Sequence, residues 1–330
     1  MPNRKSMILI VAAAIAPALC AISASASEPA KKCGLKQYAS LPITYSSKGW
    51  AEIPLLIDNH PVRMIFDTGS AESVIGSSAV QQLGLKVEHL QLVGITAGKE
   101  HLESVAFVHA LMLGNALVKN TTILIMPTHP SEDQSVERFP VGRLGMDLLS
   151  GVDVELDLGH DKVNLFSAEH CPGVVVYWAD QAAVIPMRRG DLKDLYFVME
   201  LDGKKLQTKV STAGPLSALS TRVTRSLYGW DEDSPGVQAL TEDGTTRHYR
   251  NMTLTAGGLQ VLNTQVMLVK DTSACMKQAH LRNDADGATG FEGCGNVYPL
   301  HLGLNVLKKL RLYLATKEQK LYITPADAHK

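Results

Sequence analysis

The sequence predicts a mostly β fold in which two tandem β-barrel lobes with short helices are related by a pseudo-two-fold axis. Segments of the chain recur at one constant offset, short β-type runs are punctuated by Gly, Asn and Pro, and each half ends in an apolar-rich pair of strands. Because a solenoid needs at least three stacked units, two copies favour a pair of lobes that meet at a cleft.

The internal repeat keeps its register along the chain. Leu41-Pro42-Ile43 recurs as Ile185-Pro186-Met187, and the segment from 57 to 66 recurs from 201 to 210 at the same offset. A constant register over unconnected segments is hard to reach by chance. The repeat therefore predicts that the second half is a diverged copy of the first.

Short helices and terminal strand pairs complete each predicted half. A serine cap and a glycine stop predict helices from Ser77 to Leu83 and from Ser220 to Leu227. Apolar-rich strand pairs are predicted from Val152 to Phe166 and from Leu310 to Ile323. Each half is thus predicted to be a small barrel with one or two helices.

The N-terminus has the layout of a secretory signal peptide. Arg4 and Lys5 precede an apolar run that is shorter than the ~20 residues of a bilayer span, and the small residues Ala24-Ser25-Ala26 follow. The sequence therefore predicts export to the periplasm or the medium, without a stable membrane anchor.

The predicted domains are a signal peptide at 1–26, a first lobe at 27–172, a linker at 173–190 and a second lobe at 191–330.

Composition narrows the function classes. The formal net charge is −1, so no basic surface for nucleic acid is indicated. Four cysteines remain after the predicted cleavage, and an oxidising compartment favours two disulfides, which we expect to be Cys33–Cys171 and Cys275–Cys294. Neither a Cys-x-x-Cys pair nor closely spaced histidines accompany them, so no metal site and no cofactor are predicted.

The first half carries a series of motifs in a characteristic order. An apolar strand runs into the loop Asp67-Thr68-Gly69-Ser70, and a glycine-bearing hairpin candidate follows with Gly94 and Gly98. Further on lies Arg143-Leu144-Gly145. In this order the motifs resemble the retropepsin-like aspartic proteases, in which the hairpin is the flap over the substrate and the third motif is the hydrophobic-hydrophobic-glycine signature.

The resemblance implies peptide-bond hydrolysis, with Asp67 as the catalytic carboxylate and Thr68, Gly69 and Ser70 as its supporting loop. Family enzymes place two such loops face to face, and the two carboxylates share one proton because like charges at that distance cannot both ionise. The ionised member activates water, and the protonated member donates to the peptide carbonyl.

The second half departs from the family pattern at its own loop. The register places Ser211 and Thr212, in Val210-Ser211-Thr212-Ala213-Gly214, where the second aspartate loop is expected. A serine hydroxyl cannot hold the shared proton near neutral or acidic pH, so we expect the intrachain dyad to be broken. Losing one member of such a unit removes most of its catalytic power.

Three interpretations of this departure stay open at the level of sequence. Two chains pair their N-terminal lobes into a homodimer, and each contributes Asp67 to a dyad. Alternatively, the two lobes of one chain close with Asp67 facing Ser211, which gives a weak peptidase. In the third, the chain is an inactive pseudoprotease that binds extended peptides between its lobes by strand addition. In each case the predicted partner is a protein or peptide.

Overall fold

The computed structural model describes residues 34–329 except 91–94, 98–99, 129–134, 137, 191–194, 243, 271–273 and 295–296. The predicted fold class is confirmed: the chain is mostly β and forms two closed six-stranded barrels. A third assembly, which we call the bridging sheet, contains strands from both halves. The predicted signal peptide lies outside the described residues.

The first barrel is closed by pairing of its first strand with the strand that begins at Ser104, in the register Leu56 to Met112. Its six strands are Ala51–Ile57, His60–Phe66, Val74–Gly76, Ser104–Leu113, Ala116–Met126 and Gly142–Leu144. Its edge strands, hairpin strands and helices are Thr44–Tyr45, Lys86–His89, Ile95–Ala97, Glu100–Leu102, the helix Ser77–Gln82 and the 3-10 turn Asp147–Leu149.

The second barrel repeats this order and closes through the hairpin in which Phe197 pairs with Thr208. Its six strands are Leu195–Leu201, Lys204–Val210, Ser217–Ser220, Thr245–Ala256, Leu259–Val269 and Leu300–Leu302. Its additional strands are Gln238–Glu242, His280–Asn283 and Thr289–Glu292, and its helices are Thr221–Val223, the π turn Thr224–Tyr228, Ala274–Gln278 and Leu304–Leu307.

The bridging sheet joins the two halves at its centre, where Val154 of one half pairs antiparallel with Leu314 of the other. Its strands, in spatial order, are Gln37–Pro42, Lys162–Ser167, Val152–Asp157, Leu310–Ala315, Lys320–Pro325 and Ala183–Arg189, and the 3-10 turn Leu158–His160 links two of them. The last of these strands falls within the predicted linker, so that segment is partly structured. The domain boundaries themselves stay a prediction.

Alternating side chains fill the core as the β pattern predicts. In the strand Leu195–Leu201, Phe197, Met199 and Leu201 are buried while the intervening residues are partly exposed. The core-facing residues of both barrels and of one face of the bridging sheet belong to one continuous apolar cluster. The lobes are thus held together by shared core as well as by backbone pairing.

Two glycines are required where backbones approach closely. A Cβ on Gly145 would lie 2.7 Å from the carbonyl carbon of Glu72, and one on Gly303 would lie 2.3 Å from that of Leu216. These distances exclude any larger residue without movement of backbone. Gly145 and Gly303 are therefore structural. Each holds the strand that it follows against the loop that it contacts.

His170 holds the segment that follows the strand Lys162–Ser167 against the bridging sheet. Its Nε2 lies 2.6 Å from Oδ2 of Asp153, and its side chain is 1% exposed. Burial lowers the pKa of His170, but the Cys171 carbonyl, Asp153 and Glu318 outweigh burial and raise it above its usual value. Within the described part of the chain, no helix is long and apolar enough to cross a membrane.

Candidate active site

The loops that follow two matched strands meet between the lobes. The Thr68 amide donates to Oγ1 of Thr212 at 3.1 Å, and the Thr68 hydroxyl donates to the Val210 carbonyl at 3.0 Å. In return, the Thr212 hydroxyl donates to the Phe66 carbonyl. Both threonines are buried. These reciprocal bonds clamp the Asp67 loop to the Ser211 loop of the same chain.

The carboxylate of Asp67 is almost fully buried, and two groups among the described residues contact it. Its Oδ1 accepts the Gly69 amide at 2.8 Å, and its Oδ2 lies 3.4 Å from Nη1 of Arg143. Among the described residues, no hydrogen bond or ion pair joins Asp67 to a second carboxylic acid. The local field at Asp67 is therefore set by a backbone donor and a cation.

Ser211 lies beside Asp67, with Gly69 between them. A Cβ on Gly69 would stand 2.8 Å from Oγ of Ser211 and 2.9 Å from Oδ1 of Asp67. No larger residue fits there unless these side chains move. The structure thus brings together Asp67 and the serine that the register places opposite it.

The hydroxyl of Ser70, the last residue of the predicted supporting loop, bonds to backbone further along the chain. It donates to the Glu72 carbonyl at 2.8 Å, and the Ser70 carbonyl accepts the Met146 amide at 2.9 Å. The role of Ser70 is to hold the loop against the glycine motif. Besides the two threonines of the clamp, the side chains brought together here are those of Asp67, Arg143 and Ser211.

A buried serine in each half, Ser73 or Ser217, accepts a hydrogen bond from the glycine motif and so ties it to the Asp67 or the Ser211 loop. Ser73 accepts the Gly145 amide at 2.9 Å and donates to Oδ1 of Asp147 at 2.6 Å. Sequence reasoning gave Ser73 no such role. The arrangement orients the strand Gly142–Leu144, which carries Arg143 and pairs in parallel with the end of the Asp67 strand.

Three further polar residues at the site escaped sequence reasoning. Arg143 and His301 occupy matched positions, each immediately before a Leu-Gly pair, and Lys209 lies two residues before Ser211. Lys209 is 1% exposed, with its ammonium 5.4 Å from the centre of the Tyr298 ring. Arg143 and His301 could have been found in the sequence, because each is a polar residue at a position where the family motif is apolar.

A cavity of about 700 Å³ opens in the first lobe next to Arg143. Its apolar lining includes Ile65, Val74, Met126 and Phe139. A volume of this order suits side chains of a peptide or a small molecule. The cavity thus supplies space for a ligand beside Arg143, the ion-pair partner of Asp67.

The predicted flap glycines, Gly94 and Gly98, lie outside the described residues. The strands next to them, Ile95–Ala97 and Glu100–Leu102, pair as an antiparallel hairpin. Leu102 packs in a small apolar cluster with Val74 and Val105. A hairpin therefore stands where the sequence predicts one.

The predicted disulfides stay predictions. Cys33 and the side chain of Cys275 lie outside the described residues, so neither the pair with Cys171 nor the pair with Cys294 can be traced. The residues that the structure describes include no group of three His, Cys, Asp or Glu side chains placed to hold a metal ion.

The chain is similar to known proteins in part of its sequence and in its fold. Residues 53–148 match the family model described as aspartyl protease. The crystal structure of the aspartic proteinase from Irpex lacteus is similar with a TM-score of 0.51 and 11% identity, over 88% of this chain and 97% of that one. Basic 7S globulin from soybean has a TM-score of 0.48 and 10% identity, over 89% and 96%. No curated protein matches the chain.

The paired barrels and the clamped loops define a two-lobed protein with the fold of aspartic proteases. The resemblance to the retropepsin-like aspartic protease family is confirmed, and the matched region includes the Asp67 loop and the glycine motif of the first lobe. The second lobe keeps the architecture without the second aspartate.

Proposed function

We propose that the protein is an aspartic-type endopeptidase in which one chain supplies the whole site and Asp67 is the carboxylate that activates water. The observation that carries the proposal is the clamp between the Thr68 and Thr212 loops, which holds the buried Asp67 beside Ser211. Arg143, which contacts the Asp67 carboxylate, lines the cavity. Such preorganisation is what an acid-base group needs.

In the proposed reaction, Asp67 takes a proton from a water molecule as the water oxygen attacks the peptide carbonyl carbon. The carbonyl π electrons move to the oxygen, and the proton then passes from Asp67 to the leaving amine as the C–N bond breaks. Ser211 contributes a hydroxyl but no ionisable proton. The predicted homodimer gains no support, because the Asp67 loop is already paired within its own chain.

The test is hydrolysis of an unfolded protein substrate from pH 3 to 7 at two enzyme concentrations. The wild type should cleave with a specific activity that does not fall on dilution, because assembly of the site needs no second chain. Asp67→Asn should lower kcat by about 10³-fold or more, since it removes the base. If Asp67→Asn cleaves the substrate as well as the wild type does, the mechanism is wrong.

A second candidate function is peptide binding without cleavage. It is favoured by one observation, namely that Ser211 stands where the family places the second carboxylate. For this function, wild type and Asp67→Asn should both be inactive yet bind an unfolded peptide with equal affinity in titration calorimetry. Cleavage by the wild type alone would exclude it.

We also propose that the chain is exported to an oxidising compartment and carries the two predicted disulfides. The pattern from Arg4 to Ala26 and the even number of remaining cysteines support this. Mass mapping of the mature chain without reductant should find an N-terminus at Ser27 and the peptides of Cys171 and Cys294 each linked to a partner. Free thiols in the isolated mature chain would contradict the disulfide part.

A further inference from the structure

The proposed hydrolysis lacks one functional group that the family dyad supplies. In a dyad, the protonated carboxylic acid donates to the carbonyl oxygen as negative charge develops there. Ser211 occupies that side of the site, and its hydroxyl is a neutral and weaker donor. A cationic donor next to Asp67 would meet the need better.

Arg143 has the required position and chemistry. Its Nη1 lies 3.4 Å from Oδ2 of Asp67, while 40% of its side chain stays exposed where it lines the cavity. A guanidinium has five N–H donors, and the Asp67 contact uses one of them. The remaining donors leave room for an oxygen of a ligand in the cavity.

The backbone around Arg143 is rigid. The strand Gly142–Leu144 pairs with both His60–Phe66 and Val74–Gly76, so Arg143 lies between two strands of the first barrel. The Gly145 contact with Glu72 fixes the end of this strand. The guanidinium therefore extends from a fixed base, as a preorganised oxyanion donor should.

We propose that Arg143 is a further catalytic residue of this site, and that its guanidinium stabilises the oxyanion in place of the missing carboxylic acid. This inference rests on the proposed function, because it assigns a role within the same hydrolysis.

The assignment keeps the reaction balanced without a second acid. Asp67 accepts the proton of the attacking water, a C–O bond forms, and the negative charge on the former carbonyl oxygen is held by Arg143. When that charge returns to the carbonyl, the C–N bond breaks and Asp67 gives its proton to the amine. Arginine stays charged throughout, as its high pKa requires.

The charged groups around the site predict an unusual pH dependence. Arg143 faces Asp67 from its own lobe, Lys209 and His301 flank Ser211 from the other, and Glu52 is engaged by Arg63 at 3.3 Å. No carboxylic acid in the described site is placed to share a proton with Asp67. Activity should therefore reach a plateau towards neutral pH, without the alkaline fall that gives a dyad its bell-shaped profile.

The experiment measures kcat and KM from pH 3 to 9 for the wild type, Asp67→Asn, Arg143→Gln, Arg143→Lys and the control Arg188→Gln. Arg188 is a guanidinium of comparable exposure, 34%, which is ion-paired with Asp284 in the second lobe. Arg143→Gln should lower kcat by about 100-fold, the usual effect of losing one oxyanion donor, with KM changed less than threefold. Arg143→Lys should restore part of kcat, and Arg188→Gln should change neither constant.

The outcomes separate the inference from the proposed function. If Asp67→Asn is inactive and Arg143→Gln keeps kcat within threefold of the wild type, Arg143 is not catalytic although the hydrolysis stands. A bell-shaped wild-type profile with an acidic optimum would likewise overturn the inference. If the wild type does not cleave, or Asp67→Asn cleaves equally well, the proposed function fails and the inference fails with it. Melting curves verify that each variant is folded.

Discussion

The two lobes share a hydrogen-bond scaffold around their central loops. In the first lobe, Ser73 accepts the Gly145 amide at 2.9 Å, and in the second, Ser217 accepts the Gly303 amide at 3.0 Å. The Asp67 amide donates to the Leu144 carbonyl, and its counterpart, the Ser211 amide, donates to that of Leu302. Both lobes need this scaffold because these backbone groups are buried and must be paired.

The side chains that the scaffold presents are different. Four matched positions around the loops hold unlike residues, given as first lobe and then second lobe: Glu52 and Tyr196, Ile65 and Lys209, Asp67 and Ser211, Arg143 and His301. In the first lobe Glu52, Ile65 and Arg143 line a cavity of about 700 Å³. In the second, the rings of Tyr196 and Tyr298 pack 5.2 Å apart, with Lys209 above Tyr298.

The comparison shows that the two lobes share the backbone arrangement around their central loops but differ in the side chains that this backbone presents. Polar pairing and close glycine contacts restrict the loops, whereas side chains that point between the lobes carry no such restriction. The first lobe therefore keeps a carboxylate and space for a ligand, and the second keeps the supporting geometry.

The largest expected effect comes from making the lobes alike at one position. Ser211→Asp places a second carboxylate beside Asp67, so the two must share a proton and titrate in two steps. We expect a bell-shaped profile with an acidic optimum and, at pH 4, activity about tenfold or more above the wild type. Ser211→Asn is the control, since it has a similar size and no proton to share. If the pH profile of Ser211→Asp is the same as that of the wild type, the comparison between the two lobes is wrong.

A smaller effect concerns His301, the counterpart of Arg143. Burial and the charge of Lys209 lower the pKa of His301 to about 4, against an ordinary value near ~6.5. The unfolded chain binds the proton more readily, so the stability contributed by neutral His301 is present above about pH 6.5 and is lost as pH falls towards 4.

Replacing His301 should remove this pH dependence. Between pH 7 and 4.5, His301→Gln should lose about 2 kcal/mol less of its free energy of unfolding than the wild type does, as measured in urea. His60→Gln, at an exposed position of the first lobe, should behave like the wild type. Equal losses in wild type and His301→Gln would show that folding does not lower the pKa of His301.

The smallest expected effect is a difference between the unfolding free energies that Ser73 and Ser217 contribute. Ser73 donates to the carboxylate of Asp147 and Ser217 to the amide oxygen of Asn305, and hydrogen bonds to charged groups are stronger. At pH 7, Ser73→Ala should cost about 2 kcal/mol of unfolding free energy and Ser217→Ala about 1 kcal/mol. Ser150→Ala, which removes an exposed hydroxyl, should cost less than about 0.5 kcal/mol. Urea midpoints that rank the two buried serines in reverse would contradict the argument.

Most of the fold could be predicted from the sequence because its signals are local or repeated. Alternating apolar residues specify strands such as Leu195–Leu201, and the constant register relates the Asp67 strand to the Ser211 strand. The bridging sheet could not be predicted, since the pairing of Val154 with Leu314 joins residues of opposite halves. Its two terminal strand pairs, from Val152 to Phe166 and from Leu310 to Ile323, were expected, but their partners depend on how the lobes dock.

The sequence by itself determined the doubled β architecture, the carboxylate loop at Asp67 and the serine at the matching loop. Only the tertiary structure decided that Arg143 would reach Asp67 and that Lys209 and Tyr298 would pack together. The physical reason is that a local pattern fixes which face of a strand a side chain occupies. Which groups then meet depends on the pairing of strands that are far apart in sequence, as Asp67 and Arg143 are at a separation of 76 residues.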